Sequence, residues 1–339
     1  MFKRNDSLRK SNIFWTLLSL MVAVNLLISS CGQAATKVYH VGVLSGLSAF
    51  APALDGFKAK MTELGYIEGK NISYDVQSTE VDFDAYKKIT QKFVTDKDDL
   101  IFVFPTEAAS IARAAVQGTK TQVVFALAFT DVAGINLIDS IREPGGNTTG
   151  VRFPSVDIAS KRLQILLELA PNAKRIFVPY LKDYPNVPGQ LEVLRPQAQS
   201  AGVELIEFAA VSPQDLQAEM NKHASASDID AILIIAEPLG ITPPFYTIIG
   251  KFSYDHKLPI GGAIMTTDGY DSLFGLLPNP TTVGEQAALL ADKIFKGTPA
   301  GKIPVVTSDS YFQVNNKAAE KLGITIPDGL LKQADEIIR

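Results

Sequence analysis

Residues 100–126 read LIFVFPTEAASIARAAVQGTKTQVVFA. The stretch begins with a continuous apolar run, Leu100–Phe104, and closes with a second, Gln122–Ala126. Between them lies a segment of helical character, Ala108–Val116. Short runs of this kind are apolar along their whole length, which suits strands covered on both faces. Two such strands joined through a helix make a βαβ unit, and hence a parallel sheet.

The pattern continues outward in both directions. Toward the N-terminus, Val38–Leu44 and Asn71–Val76 read as strands. Helices are expected over Pro52–Leu64, where Leu54, Phe57 and Met61 fall at helical spacing, and over Phe83–Phe93. Gly65 is a stop signal for the first of these. Toward the C-terminus the scheme repeats. Helices are expected over Val156–Leu169, Pro188–Ala201, Ser212–His223 and Pro243–His256. Strands are expected over Arg175–Tyr180, Val203–Phe208, Ile229–Ala236 and Leu258–Gly261. The stretch 143–150, EPGGNTTG, interrupts any regular element, and so does 277–280, LPNP. A helix over Thr281–Phe295, a strand at 311–314 and a short helix over Lys317–Leu322 complete the pattern.

The chain has 339 residues, of which 46% are hydrophobic and 20% charged, the profile of a folded protein. At roughly 150 residues per domain this length suits two domains. The expectation is an α/β protein of two Rossmann-like lobes, with parallel sheets and a hinge crossed several times. The first lobe would hold 38–148 plus about 277–303. The second would hold 149–276 plus about 304–339. A net charge of −4 argues against nucleic acid as a partner. A monomer is expected.

The first thirty residues differ from the rest. Lys3, Arg4, Arg9 and Lys10 against Asp6 give a net +3, which leaves −7 for residues 31–339. An apolar run, Ile13–Ile28, follows. It is shorter than the about 20 residues a membrane-spanning helix needs. A basic start, a short apolar core and small residues after it describe a secretory signal peptide over 1–30. Ile28-Ser29-Ser30-Cys31 then resembles the bacterial lipobox, with small side chains that enter the peptidase cleft; the ordinary alternative is a plain signal peptide followed by a chance cysteine. Cys31 is the single cysteine of the chain, so no internal disulfide is possible. Its thiol would carry a diacylglycerol thioether and its freed amine a further acyl chain. Several chains give an attachment that one cannot. The mature protein would be extracytoplasmic and lipid-anchored to the cell membrane. In a Gram-negative cell it would face the periplasm from the inner or outer membrane; Gly32 is not the aspartate of an inner-membrane retention signal. Residues 31–37 read as a tether.

Ligands of open parallel sheets bind beyond the carboxyl ends of the strands. The residues expected there are Ser45 and Ser48, Thr106 and Glu107, Thr130 and Asp131 in the first lobe. In the second they are Tyr180, Tyr184, Glu237, Asp268 and Tyr270. Hydroxyls near helix N-termini can hold a carboxylate. Asp131 or Glu237 can hold an ammonium group. Tyr180, Tyr184, Tyr270 and the neighbouring Phe129 can cover an apolar part or a cation. Together they suit a zwitterion with a hydrophobic portion, such as an amino acid. Each has an ordinary alternative: Thr106 as a helix cap, Asp131 as a turn cap, Glu237 as a loop residue. Enzyme signatures are missing. There is no GxSxG elbow, no P-loop and no GxGxxG after a strand, and the three histidines are scattered. Neither a cofactor nor a metal site is expected.

The stretches 64–71, LGYIEGKN, and 143–151, EPGGNTTGV, occur in order with Val124-Phe125 and Thr130-Asp131 between them. With 318–327 and Leu330-Leu331 near the end, they resemble the ABC-transporter substrate-binding proteins related to tryptophan/tyrosine uptake. The resemblance covers most of 38–339. It implies a type I periplasmic-binding fold, a small-molecule ligand in the cleft, no catalysis, and delivery to an ABC permease with its ATPase. A sensory protein that presents its ligand to a signalling receptor would share this fold and anchor. Three departures fall at the expected pocket. Val132 stands where the family has proline, Glu107-Ala108-Ala109 where it often has Pro-Ala-Ala, and Glu237-Pro238 where an aspartate-asparagine pair is usual.

Overall fold

The computed structural model describes residues 37–130, 135–224 and 228–339. The leader, Cys31 and Asp131 lie outside these residues. Two sheets organise the chain. The first contains β1 (Tyr39–Ser45), β2 (Ile72–Ser78), β3 (Leu100–Phe104), β4 (Gln122–Ala128), β5 (Thr148–Arg152) and β13 (Val306–Thr307). Their order is β13-β5-β4-β3-β1-β2, and every pair is parallel. The second contains β6 (Arg175–Leu181), β7 (Glu204–Ala210), β8 (Ala231–Leu233), β9 (Ile260–Gly262), β12 (Phe274–Leu277), β14 (Tyr311–Asn315) and β15 (Glu336–Ile338). Its order is β15-β14-β12-β9-β8-β6-β7, and β12 with β14 is its one antiparallel pair. The expected α/β architecture of two lobes is present.

The lobes exchange chain a few residues later than the sequence suggested. Thr148–Arg152 forms β5, paired with β4, so the first crossing follows Arg152 rather than residue 148. Val306 and Thr307 pair with Val151 and Arg152, so the last crossing lies between Thr307 and Tyr311 rather than after 303. The middle crossing runs from Leu277 to Pro280. Strand pairing decides these points, and a two-residue strand carries no periodicity to read.

Helices cover both faces of each sheet. In the first lobe α1 (Pro52–Glu63) lies on the face of Val41, Val43 and Phe102. Its Phe57 stacks on Phe102 at 4.3 Å between ring centroids. The opposite face, with Leu44, Val103 and Phe125, is covered by α2 (Phe83–Asp96) and α3 (Thr106–Ala115). Asp82 caps α2 by accepting from the N–H groups of Asp84 and Ala85. The alternation is equally clear in β6, where Ile176 and Val178 face one core and Phe177 the other. The first of these cores is closed by α4 (Ser155–Leu169) and α5 (Val187–Ser200), the second by α6 (Pro213–His223) and α7 (Pro243–His256). α8 (Pro280–Phe295) returns to the first lobe and crosses α1.

β8 spans Ala231–Leu233, shorter than the expected 229–236. Side chains take over from the ladder at its end. The carbonyl of Ile234 accepts from Arg162, and Gln190 binds both the N–H and the carbonyl of Ala236. Two further elements close the tail: α9 (Asn316–Leu322) and α10 (Asp328–Gln333), the latter leading into β15.

Candidate functional site

A cavity of about 440 Å³ opens between the lobes at the carboxyl ends of both sheets. From the first lobe come Phe50, Val81, Pro105, Glu107, Leu127 and Phe129. From the second come Tyr184, Ile235, Glu237, Ile241 and Met265, with Arg162 behind them. The crossings contribute Phe153, Pro278, Asn279 and Tyr311. The wall is predominantly apolar, with charge at a few points, as small-molecule sites usually are.

Local structure explains how these side chains arrive. β4 slips register against β5 between Phe125 and Ala128. Leu127 within that bulge has φ 51°, a conformation uncommon outside glycine. Such bulges re-aim side chains, and here Leu127 and Phe129 both reach the cavity. Phe129 lies 5.2 Å from Phe153, ring centroid to centroid. Asn279 caps α8 by accepting from the N–H groups of Thr281 and Thr282, which fixes the crossing beside the cavity.

Of the residues expected at the site, Glu107, Tyr184 and Glu237 lie in this wall. Tyr184 donates to the Glu107 carboxylate at 2.9 Å, a bond from one lobe to the other. Burial, with the Glu107 charge beside it, holds the Tyr184 hydroxyl well above its usual range. Glu237 is 5% exposed. One carboxylate oxygen accepts from the N–H of Leu181 at 3.3 Å; the other makes no well-formed hydrogen bond among the described residues, although the N–H groups of Leu239 and Gly240 face the carboxylate. Burial pushes its pKa up to about 7, against the backbone N–H groups of Leu239, Leu181 and Gly240 and the charge of Arg162.

The other expected residues that the structure describes stand elsewhere. Ser45 is buried at the end of β1, and Ser48 opens a short turn whose N–H faces Glu80. Leu47, Ala49 and Phe50 around it reach the wall instead. Thr106 is buried and its hydroxyl accepts from the N–H of Phe129 at 2.9 Å. It therefore positions an aromatic wall residue rather than entering the wall. Thr130 is half-buried outside the wall, and Tyr180 packs on the core of the second lobe. Asp268 and Tyr270 sit on a small hairpin, β10 (Thr266–Thr267) with β11 (Tyr270–Asp271). That hairpin folds onto α7. Asp268 accepts from Thr247, and Tyr270 packs edge-on against Tyr254 at 5.3 Å. Their place in the wall is taken by Ala263, Ile264 and Met265.

Arg162 was not expected. It is 0% exposed, on α4. Its guanidinium donates to the carbonyl of Leu276 twice and to that of Ile234 once. Burial lowers its pKa to about 9, opposed by Glu237. The sequence held a signal. Ile158, Ile165 and Leu166 lie four before, three after and four after it, all buried, so a charge interrupts an apolar helix face.

The model of the family described as ABC transporter substrate binding protein matches residues 41–338. The chain belongs to this family. A tyrosine-binding protein of Clostridioides difficile strain R20291 is 30% identical over 268 residues, covering 76% of this chain and 73% of the relative. A conserved domain protein from Vibrio cholerae shares the structure with a TM-score of 0.76 at 25% identity, covering 89% of this chain and 100% of that one. An ABC domain from Streptococcus pneumonia in complex with L-Trp has a TM-score of 0.77 at 24% identity, with the same coverage. As a substrate-binding protein of this family, the chain has its candidate site in the interlobe cavity. Among the described residues no group of three or more His, Cys, Asp and Glu could hold a metal ion. No helix among them is long and apolar enough to cross a membrane.

Proposed function

We propose that this is a lipid-anchored, extracytoplasmic solute-binding protein that delivers an amino acid or similar zwitterion to an ABC permease with its ATPase. The observation that carries this reading is the cavity at the carboxyl ends of both sheets, apolar and aromatic over most of its wall and charged at Arg162 and Glu237. Its volume is of the size that accommodates a small metabolite. The named relatives, one tyrosine-binding and one bound to L-Trp, support an amino acid. The crossings after Arg152, Leu277 and Thr307 serve as the hinge between lobes. Closure follows from ligand that binds the closed form more tightly, since only differential affinity moves the population. Cys31 carries the lipid that keeps the protein at the membrane.

The test begins with protein purified in mild detergent from its own membrane. Mass spectrometry of the N-terminal peptide is expected to find an acylated Cys31, and of the denatured supernatant a retained small molecule. Calorimetric titration with the twenty standard L-amino acids is expected to find a ligand of micromolar dissociation constant. Folded protein that binds none of them would overturn the amino-acid reading. An unmodified N-terminal Met1 would overturn the anchor.

A further inference from the structure

We propose that Arg162 and Glu237 are the two poles of the ligand site, Arg162 pairing with a ligand carboxylate and Glu237 with its ammonium group. This deepens the amino-acid reading above and rests on it. The hydroxyls expected to hold the carboxylate, Ser45, Ser48, Thr106 and Thr130, are not in the wall, and that of Thr106 accepts from the N–H of Phe129 behind it. The anion must therefore meet another donor.

Arg162 is that donor by charge: it is the one cation among the described residues of the wall. Its guanidinium is fully buried, and its three bonds all end on main-chain carbonyls. A guanidinium carries five N–H groups, so one remains on each terminal nitrogen. No carboxylate among the described residues lies within ion-pair distance of it. A buried cation without an anion is expensive to maintain. A ligand carboxylate entering the cavity supplies the missing charge in the planar, two-pronged geometry that guanidinium prefers.

Glu237 is the complementary case. Of the wall carboxylates, Glu107 accepts from Tyr184 and Glu336 from Gln313. Glu237 keeps one buried oxygen without a well-formed hydrogen bond and has no cation within ion-pair distance among the described residues. Glu237 and Arg162 sense each other's charge, yet they do not form an ion pair. Both groups therefore border the cavity without an ion-pair partner among the described residues. The other carboxylate of the second lobe's wall, Glu336, is taken by Gln313, and Phe129, Phe153 and Tyr184 supply aromatic surface for the rest of the ligand.

The experiment uses the amino acid that binds most tightly among the twenty standard L-amino acids, with its decarboxylated amine and its deaminated acid. Each is titrated calorimetrically into the wild type, Arg162→Gln and Glu237→Gln. Loss of either charged group from the ligand is expected to weaken binding to the wild type about 100-fold or more. In Arg162→Gln the amine and the amino acid are expected to bind within about threefold of each other, because the partner of the carboxylate is gone. In Glu237→Gln the same holds for the acid and the amino acid. Should Arg162→Gln fail to fold, Arg162→Lys takes its place: it keeps a cation but loses the two-pronged donor, so the preference for the amino acid over its amine is expected to fall about tenfold, and an undiminished preference overturns the assignment. An amine bound by the wild type as tightly as the parent amino acid overturns the Arg162 assignment. So does a carboxylate preference undiminished in Arg162→Gln. Failure of all twenty amino acids overturns the amino-acid reading itself, a different outcome.

Discussion

At Glu237 the protein keeps a carboxyl group largely withdrawn from water, and pH becomes a handle on both stability and binding. Its ordinary pKa of 4.5 rises to about 7. Between those values the native state holds a proton that the unfolded chain has lost, so stability falls as pH rises through this window. The direction yields a first prediction. Glu237→Gln removes the ionisation while keeping an acceptor for Leu181, and is expected to melt above the wild type at pH 8 by an amount worth about 1–3 kcal/mol. The gap is expected to shrink toward pH 5, and thermal melts across that range check it; a gap independent of pH would refute it. Ligand binding runs the other way. An ammonium group needs the ionised carboxylate, so affinity is expected to weaken as pH falls below about 7. Proton release on binding near pH 6, seen as a dependence of calorimetric heat on buffer ionisation enthalpy, checks this second prediction. The charged and titratable groups that face Glu237 are Arg162, which burial lowers only to about 9, and Tyr184, which is held well above its usual range and tied to Glu107, so neither Arg162 nor Tyr184 mimics the effect. Residue-scale legibility was mixed. Glu237, Glu107 and Tyr184 stood out because they follow strand ends. Arg162 did not, since a helix residue enters a site between sheets only through packing.

The pair α1 and α8 shows how elements far apart in sequence are locked by two glycines. A Cβ on Gly284 would stand 1.9 Å from the carbonyl oxygen of Ala53, and one on Gly56 would stand 2.0 Å from that of Thr281. The backbones touch there, so neither position has room for a methyl group. Gly284→Ala gains up to about 1 kcal/mol in helix propensity but forces the helices apart, which costs about 1–3 kcal/mol for overpacking and more when backbone is the obstacle. The clash wins. The third prediction is a melting temperature several degrees lower for Gly284→Ala, since about 1 kcal/mol moves a protein of this size by a few degrees. A melting temperature equal to or above the wild type would refute it. Because α8 begins at Asn279 in the cavity wall, a loss of ligand affinity is expected alongside. At this scale the sequence was most legible. The long apolar runs β1, β3, β4 and β6 and the helices between them followed from periodicity alone. β5, β12 and β13 did not, being short, glycine- or threonine-containing segments whose strand character comes from the neighbour they pair with.

Across the whole molecule the bond between Tyr184 and Glu107 joins the lobes at the cavity. Tyr184→Phe keeps the ring in the wall and removes the bond. The fourth prediction is a ligand affinity weakened about three- to tenfold, the worth of one hydrogen bond to a charged group within a partly screened site. Small-angle scattering is expected to show a larger radius of gyration for the unliganded variant, and no change in either quantity would refute a role in closure. The two-lobe α/β architecture was determined by the amino-acid sequence itself. Alternating apolar runs and amphipathic segments bury their surfaces in one general way, and the breaks at 143–150 and 277–280 divide them. Membership in a substrate-binding family was also legible, through the motifs at 64–71 and 143–151. What the tertiary structure alone decided is which strand-end residues meet across the cavity. Side-chain direction there depends on a bulge in β4, on a hairpin that folds away onto α7, and on an arginine delivered by α4 from beneath the sheet. These are properties of packing between separate segments, from about twenty to more than a hundred residues apart, and no local pattern encodes them.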